Sequence, residues 1–511
     1  MYSKVKTCVL QGLNGYSVDV ETDLSNGLPA FTIVGLPDAS IKESKERVRS
    51  AIANSGYQFP LQRITVNLAP ANLKKEGSQL DLAIALSLLS SVGEIETESD
   101  DKTAYIGELS LDGRVQGIEG ALPIVISLRE LGFTRCYVPE ANKEECGVVR
   151  GMDIMPVRTL QQLVDDRNEE KIIEPHRTEL EDFTEEDPDF GVDFSEIRGQ
   201  HALKRALEVA AAGHHNILII GPPGGGKTMA ARRLPTILPE MTFEESIEST
   251  KIYSVAGLLK ETGLLRNRPF RSPHHTASQV AIIGGGRIPK PGEISLAHNG
   301  VLFLDEFPEF TKSVIEVLRQ PMEDGVVSIS RVTASLTYPS EFLLVASMNP
   351  CPCGYYGDET HVCTCSMQEI QRYAGKISNP ILDRIDIHIM VKPVKYDELT
   401  QDENAETSKT IRKRVNDARQ RQIARYKGTG VRNNAQLTNR LIKKHIQLSA
   451  SAQKIVEMAF HQYKFSARSF QKILKLSRTI ADLYGADLVE DKHVLEAVRY
   501  RSPDTMNQVT R

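Results

Sequence analysis

The sequence predicts an α/β multidomain protein: an α+β front, a core built on a parallel sheet, and a helical C-terminal part. Three observations predict it. Short strand-like and helix-like stretches alternate through residues 1–164. At the centre, the Ile-rich run Asn216-Ile217-Leu218-Ile219-Ile220 leads into Gly221-Pro222-Pro223-Gly224-Gly225-Gly226-Lys227-Thr228, followed by the helix-forming Met229 to Leu234. About eighty residues on, the apolar run Gly300-Val301-Leu302-Phe303-Leu304 ends in Asp305-Glu306.

In the front, Phe31 to Val34 and Ile64 to Leu68 read as strands, and Ala39 to Ser55 and Leu80 to Leu89 as helices. Ala104 to Leu109, with Asp112-Gly113 as the turn, reads as a hairpin. Ala121 to Leu131 is helical, and Cys136 to Pro139 closes with a strand. Residues 165–190 hold 12 acidic against 3 basic residues, plus Pro175 and Pro188. Such a segment buries too little apolar surface to pack, so an acidic linker is expected.

The central motif is G-x-x-x-x-G-K-[ST], the phosphate-binding P-loop, in the strand–loop–helix context it requires. Its glycines let backbone N–H groups curl around a phosphate, and the helix N-terminus adds positive partial charge. Lys227 is expected to reach the β- and γ-phosphates of ATP, and Thr228 to hold Mg²⁺. Asp305 would face the Mg²⁺ shell, and Glu306, one residue on, would polarise the attacking water. These motifs place an ATPase core at 191–392 and a lid at 393–511. From Ala405 the chain carries 22 Lys and Arg against 9 Asp and Glu, which suits either an anionic partner or a solvated helical surface.

No apolar run approaches about 18 residues, so no membrane span is expected. No signal-peptide core follows Met1, and the chain is read as cytoplasmic. Four of the seven cysteines fall in Cys351-Pro352-Cys353 and Cys363-Thr364-Cys365. In a reducing compartment this clustering argues for tetrahedral Zn²⁺ over disulfides, within an element spanning 351–365. His361 is a further candidate ligand. Four sulfurs leave no open coordination position, so structural support is preferred to catalysis, with projection towards DNA or a neighbour as the alternative.

The front resembles the proteolytic domain of Lon-type proteases, in the ribosomal-S5-like (S5 domain 2-like) fold. The resemblance rests on Val66 to Leu89 with Lys75-Glu76-Gly77-Ser78, on Gly107 to Val115, and on Val138 to Asn142. Where those proteases place a nucleophilic serine and a lysine, this chain has Gln79 and Leu122, with Ser78 one place early. A leucine takes no proton from a hydroxyl, so the resemblance implies a scaffold without a dyad.

The core resembles AAA+ proteins. By that resemblance, Asn349 at the end of Phe342 to Met348 is sensor 1, orienting the lytic water. Arg384 in Pro380-Ile381-Leu382-Asp383-Arg384 is the finger reaching a neighbouring subunit's site, unless it forms a structural bridge with Asp383 and Asp386. Arg468 is the sensor 2 arginine of the lid. Within AAA+ proteins, Arg271-Ser272-Pro273-His274-His275-Thr276, Gly284-Gly285-Gly286 and Pro291 to His298 resemble the Mg-chelatase-like family over essentially the whole chain. The resemblance implies a homo-hexameric ATPase acting on single-stranded or branched DNA. Its implied work is that of a helicase driving branch migration in natural transformation, alongside recombination proteins.

Val326 to Tyr338 alternates with a two-residue period, where related ATPases insert a pore hairpin, and Arg331 would lie near its tip. Gly284 to Lys290, with Arg287 and Lys290, resembles a second pore insert. Both could touch a phosphate backbone or be ordinary basic loops. His274 and His275 suggest a packed or inter-subunit polar role over a metal. A chelatase motor subunit and a nucleotide-dependent scaffold remain as other readings.

Overall fold

A computed structural model describes residues 1–95, 101–179, 190–259, 263–286, 289–330, 335–358, 361–394 and 405–501. The chain forms two compact units, one of Met1–Glu186 with Phe243–Arg266, the other of Asp187–Thr242 with Asn267–Arg511.

The first unit is built on a mixed seven-stranded sheet. Its strands are β1 (Tyr2–Gln11), β2 (Asn14–Ser25), β3 (Ala30–Val34), β4 (Arg63–Ala69), β5 (Thr103–Tyr105), β6 (Arg135–Pro139) and β7 (Asp153–Val157). They lie in the order β3-β4-β2-β1-β5-β6-β7. β1 and β2 form a long antiparallel hairpin. Helices α1 (Ala39–Asn54), α2 (Asp81–Val92) and α3 (Ala121–Glu130) match the expected ones within a few residues. Asp38 starts α1 by accepting from the Ile41 N–H at 2.9 Å. The expected strand at 104–109 leaves the sheet after Tyr105. Gly107 instead donates to Gln79, and Glu108–Leu109 pairs with Val115–Gln116 across the turn.

Two further segments join this unit. The expectation of an unpacked linker at 165–190 is corrected for its first half. Asp166 accepts from the Tyr137 hydroxyl and the Ile173 N–H, Ile173 is buried, and the Thr178 hydroxyl donates to the Glu144 carbonyl. Hydrogen bonding to the carboxylates themselves compensates for the sparse hydrocarbon. Residues 180–189 lie outside the described residues. Helix α6 (Phe243–Ala256), which sequence order assigned to the core, also packs here: Gly120 donates to the Ser254 carbonyl, and the Ser254 hydroxyl donates to Glu145.

The second unit holds a five-stranded sheet of β8 (Ile217–Ile220), β9 (Phe270–Arg271), β10 (Val301–Leu304), β11 (Leu343–Met348) and β12 (Ile387–Met390). Every pairing is parallel, in the order β9-β10-β11-β8-β12. β10 and β11 are buried throughout, which explains why their sequences are apolar but for Ser347 near the end of β11. Helices α4 (His201–Gly213) and α5 (Lys227–Arg233) flank β8 in sequence. The C-terminal helices α8 (Ser408–Arg425), α9 (Ala450–Tyr463), α10 (Ala467–Leu483) and α11 (Asp491–Arg499) share one hydrophobic core with the sheet. Among the described residues no helix is long and apolar enough to cross a membrane.

Candidate nucleotide site

Because β8 lies between β11 and β12, its carboxyl end opens where the strand order reverses, the usual ligand position in an open parallel sheet. The loop 221–226 starts there. Gly224 and Gly226 have φ of 76° and 81°, which a side chain would strain. A Cβ at Gly221 would come within 2.7 Å of the Val391 carbonyl oxygen. Lys227 opens α5 and curls back over the loop. Its Nζ donates to the Gly221 carbonyl at 2.6 Å, the Pro222 carbonyl at 2.9 Å and Asn349 Oδ1 at 3.0 Å. These three oxygens occupy a cation whose natural partner is phosphate. The motif thus brings Lys227 and Asn349 together, although 122 residues separate them.

Burial pushes the Lys227 ammonium down to about 8, more than the nearby Asp305 and Glu306 carboxylates restore. A pH dependence follows. Phosphate favours the charged ammonium, so above about 8 the empty site must take up a proton in order to bind. ATP affinity is expected to be flat below that point and to fall by up to about tenfold per pH unit above it. Titrations between about pH 7 and pH 10 check this; an unchanged affinity across that range refutes it.

Beside the loop, Thr228 Oγ1 donates to Asp305 Oδ2 at 2.7 Å, and the Ser347 hydroxyl and Glu306 N–H donate to Oδ1. β10 and β11 are in register at Leu304 and Ala346, so the next residues, Asp305 and Ser347, meet at the sheet edge. Sequence reading missed Ser347. Strand alternation carried the signal, since Ser347 and Asn349 share a face. The Thr228–Asp305 pair offers hard oxygen ligands suited to Mg²⁺.

Glu306 sits in the left-handed region at φ 50° and ψ 47°, an uncommon backbone for a residue with a side chain. Its exposed carboxylate lies 3.4 Å from His275 Nδ1. His275 packs against His274, their rings tilted by 34° with centroids 4.1 Å apart. The His pair therefore faces Glu306, a contact no spacing in the sequence disclosed.

Arg384 and Arg468 stand elsewhere. Both donate to Glu323, Arg468 at 3.2 Å, and all three line a cavity of about 400 Å³ that no P-loop residue borders. The alternative bridge of Arg384 to Asp383 or Asp386 is not what forms. Asp383 faces Arg501 at 3.5 Å, and Asp386 pairs with Lys472 at 2.8 Å. Glu323 was missed because nothing in sequence links it to either arginine.

The four cysteine sulfurs gather within 4.8 Å of one another, with Cys351–Cys353 at 3.3 Å, Cys353–Cys363 at 3.5 Å and Cys351–Cys363 at 3.7 Å. Tetrahedral thiolates at about 2.3 Å from zinc stand about 3.8 Å apart, so the set, Cys365 included, fits that ion. The Tyr355 backbone N–H lowers the Cys353 thiol, towards the thiolate a metal needs, while burial raises Cys363. His361 instead stacks on Tyr355 and faces Asp358.

Val326–Ser330 and Ser335–Pro339 form the expected antiparallel hairpin, and Gly284–Gly285 pairs with Lys290–Pro291. Lys290 is exposed at the second hairpin, while Arg287 and Arg331 lie outside the described residues. In the first unit, Ser78 donates to Glu108, Gln79 Nε2 to the Glu76 carbonyl, and Leu122 is buried.

Comparison with known proteins accounts for this arrangement. Residues 193–399 match the model for magnesium chelatase, subunit ChlI, residues 20–142 that for subunit ChlI of Mg-chelatase, and residues 405–501 the ChlI C-terminal model. The chain is 40% identical to the uncharacterized protein YifB of Escherichia coli over 99% of its own length and 98% of the relative's. It is 41% identical to the competence protein ComM of Haemophilus influenzae over 96% of both chains. The magnesium-chelatase 38 kDa subunit of Rhodobacter capsulatus shares 27% identity over 31% of this chain and 50% of its own. With near full-length identity to YifB and ComM, and an ATPase core of the chelatase type, the chain belongs to the Mg-chelatase-like ComM/YifB family of AAA+ proteins.

Proposed function

We propose that this protein is a hexameric, ATP-hydrolysing motor that acts on DNA as a helicase, promoting branch migration in recombination during natural transformation. One observation carries the reading. Lys227, Thr228, Asp305, Ser347 and Asn349 form one connected cluster, whereas Arg384 faces Glu323 in a separate cavity. A finger turned away from its own P-loop suits a ring in which each subunit completes its neighbour's site. The loop would bind ATP, Thr228 and Asp305 would hold Mg²⁺, Glu306 would activate water, and Asn349 would orient it. Arg384 and Arg468 would stabilise phosphoryl charge across the subunit boundary.

The competence role of the ComM relative supports DNA as the substrate. The two antiparallel hairpins, with Lys290 and the tip residues Arg287 and Arg331, would contact its backbone. The cysteine cluster would hold a structural Zn²⁺, and the first unit would be a Lon-type scaffold without its dyad. The protein would work in the cytoplasm with recombination proteins.

Steady-state ATP hydrolysis with and without single-stranded and branched DNA, at two salt concentrations, tests the proposal. Severalfold stimulation that fades with salt is expected, since phosphate contacts are lost by counterion competition. A rate indifferent to every DNA would sink the DNA motor and favour the chelatase-type reading.

A further inference from the structure

We propose that Arg372 is a further contact for the terminal phosphate of the bound nucleoside triphosphate, held in place by a helix that the cysteine cluster anchors. This rests on the nucleotide site described above and adds a residue to it.

Arg372 lies on α7 (Met367–Ala374). It lines a cavity of about 380 Å³ together with Glu306 and Asn349. Asn349 accepts from Lys227, the group expected at the β- and γ-phosphates, so the cavity adjoins the place where the terminal phosphate ends.

Besides Glu306, the other charges of this cavity, Lys376, Glu309 and Glu369, are already engaged. Lys376 donates to Glu309 at 3.0 Å. Glu369 accepts from the N–H and hydroxyl of Ser366 at 2.8 and 2.9 Å, capping its own helix. Arg372 sits one turn beyond Glu369 and contributes to keeping that carboxylate ionised. Among the described residues, no hydrogen bond or ion pair within 4 Å fixes its guanidinium. An exposed planar cation next to Glu306 and Asn349 is suited to a phosphate oxygen, which it can meet with two N–H groups.

The helix is fixed at both ends. Ser366, directly after Cys365, begins α7 with a reciprocal capping box. Near its end, the buried Tyr373 hydroxyl lies against the Asn349 backbone N–H. The chain therefore leaves β11 at Asn349, passes through the four cysteines, and returns to Asn349 along α7. That closed path sets the position of Arg372 relative to Asn349 and gives the cysteine cluster a task at the nucleotide site.

The test compares equilibrium binding of ADP and of a non-hydrolysable ATP analogue, with Mg²⁺, to the full chain and to Arg372→Gln and Arg372→Lys. A charged hydrogen bond to the terminal phosphate predicts about tenfold to hundredfold weaker analogue binding by Arg372→Gln, with ADP unchanged within about twofold. Arg372→Lys should recover part of the loss. Equal weakening of both nucleotides would assign Arg372 a merely structural role and overturn the proposal, as would unchanged binding of both. Because Arg372 is exposed, the variants should keep the parent's thermal midpoint. Failure of the unaltered chain to bind either nucleotide would instead sink the nucleotide-site reading, so the two failures are distinguishable.

Discussion

Lys227→Ala should abolish ATP hydrolysis and weaken ATP binding by more than any other single substitution. The Lys227 ammonium is mostly buried, and three oxygens from the loop and from Asn349 share it. Phosphate binding exchanges these neutral acceptors for anionic ones, and without the ammonium the glycine loop itself offers only backbone dipoles for that charge. The empty site suffers as well, since the Gly221 carbonyl loses the Lys227 donor, at about 1–3 kcal/mol for an unsatisfied buried group, while the Pro222 carbonyl keeps the Gly225 N–H. Rates at saturating Mg·ATP, with direct binding measurements, check this. Retention of more than about a hundredth of the parent rate would remove Lys227 from the site. Mixing this variant with Arg384→Ala gives a sharper result. Each lacks what the other keeps, so an equimolar mixed ring should restore activity at about one interface in four. No recovery would tell against a finger acting between subunits.

Glu306→Gln should leave ATP binding intact and lower turnover by about 10²–10⁴-fold, the range for removing a general base. Glutamine keeps the volume and a hydrogen-bonding oxygen for His275, and Glu306 is exposed, so the variant loses basicity without disturbing packing. Turnover by Glu306→Gln close to the parent's would move the base elsewhere. Normal ATP binding alongside lost turnover would separate this residue from Lys227, whose loss affects both.

The contrast between these two residues shows what the sequence disclosed. Lys227, Thr228 and Asp305 were legible because short-range spacing encodes them: a glycine loop must precede a helix, and a carboxylate must follow a buried strand. The parallel sheet was legible for a similar reason, because β10 and β11 are buried on both faces and so carry apolar runs, interrupted only by Ser347. Glu323, His275 and Arg372 were not legible. Glu323 and His275 each meet a partner from a distant part of the chain, and Arg372 shares a cavity with Glu306 and Asn349 only through the fold, so sequence separation carries no record of these approaches. The acidic stretch from 165 misled because Asp166 is satisfied by specific donors, which composition does not report.

The excursion of Phe243–Arg266 into the first unit bears on how the protein can be divided. Removing the first 186 residues alone would leave α6 without its support, exposing Ile252 and Leu264 and leaving Ser254 without Glu145. A fragment made that way would aggregate for reasons unrelated to the ATPase. The ends of the excursion, however, lie side by side: Arg268 donates to the Pro239 carbonyl at 2.6 Å and the Glu240 carbonyl at 2.9 Å. A short turn between residues 242 and 267 could therefore replace the whole segment. The natural seam of this protein is thus a pair of cuts, one at the acidic stretch and one at this neck, and trimming at both should yield a self-sufficient ATPase.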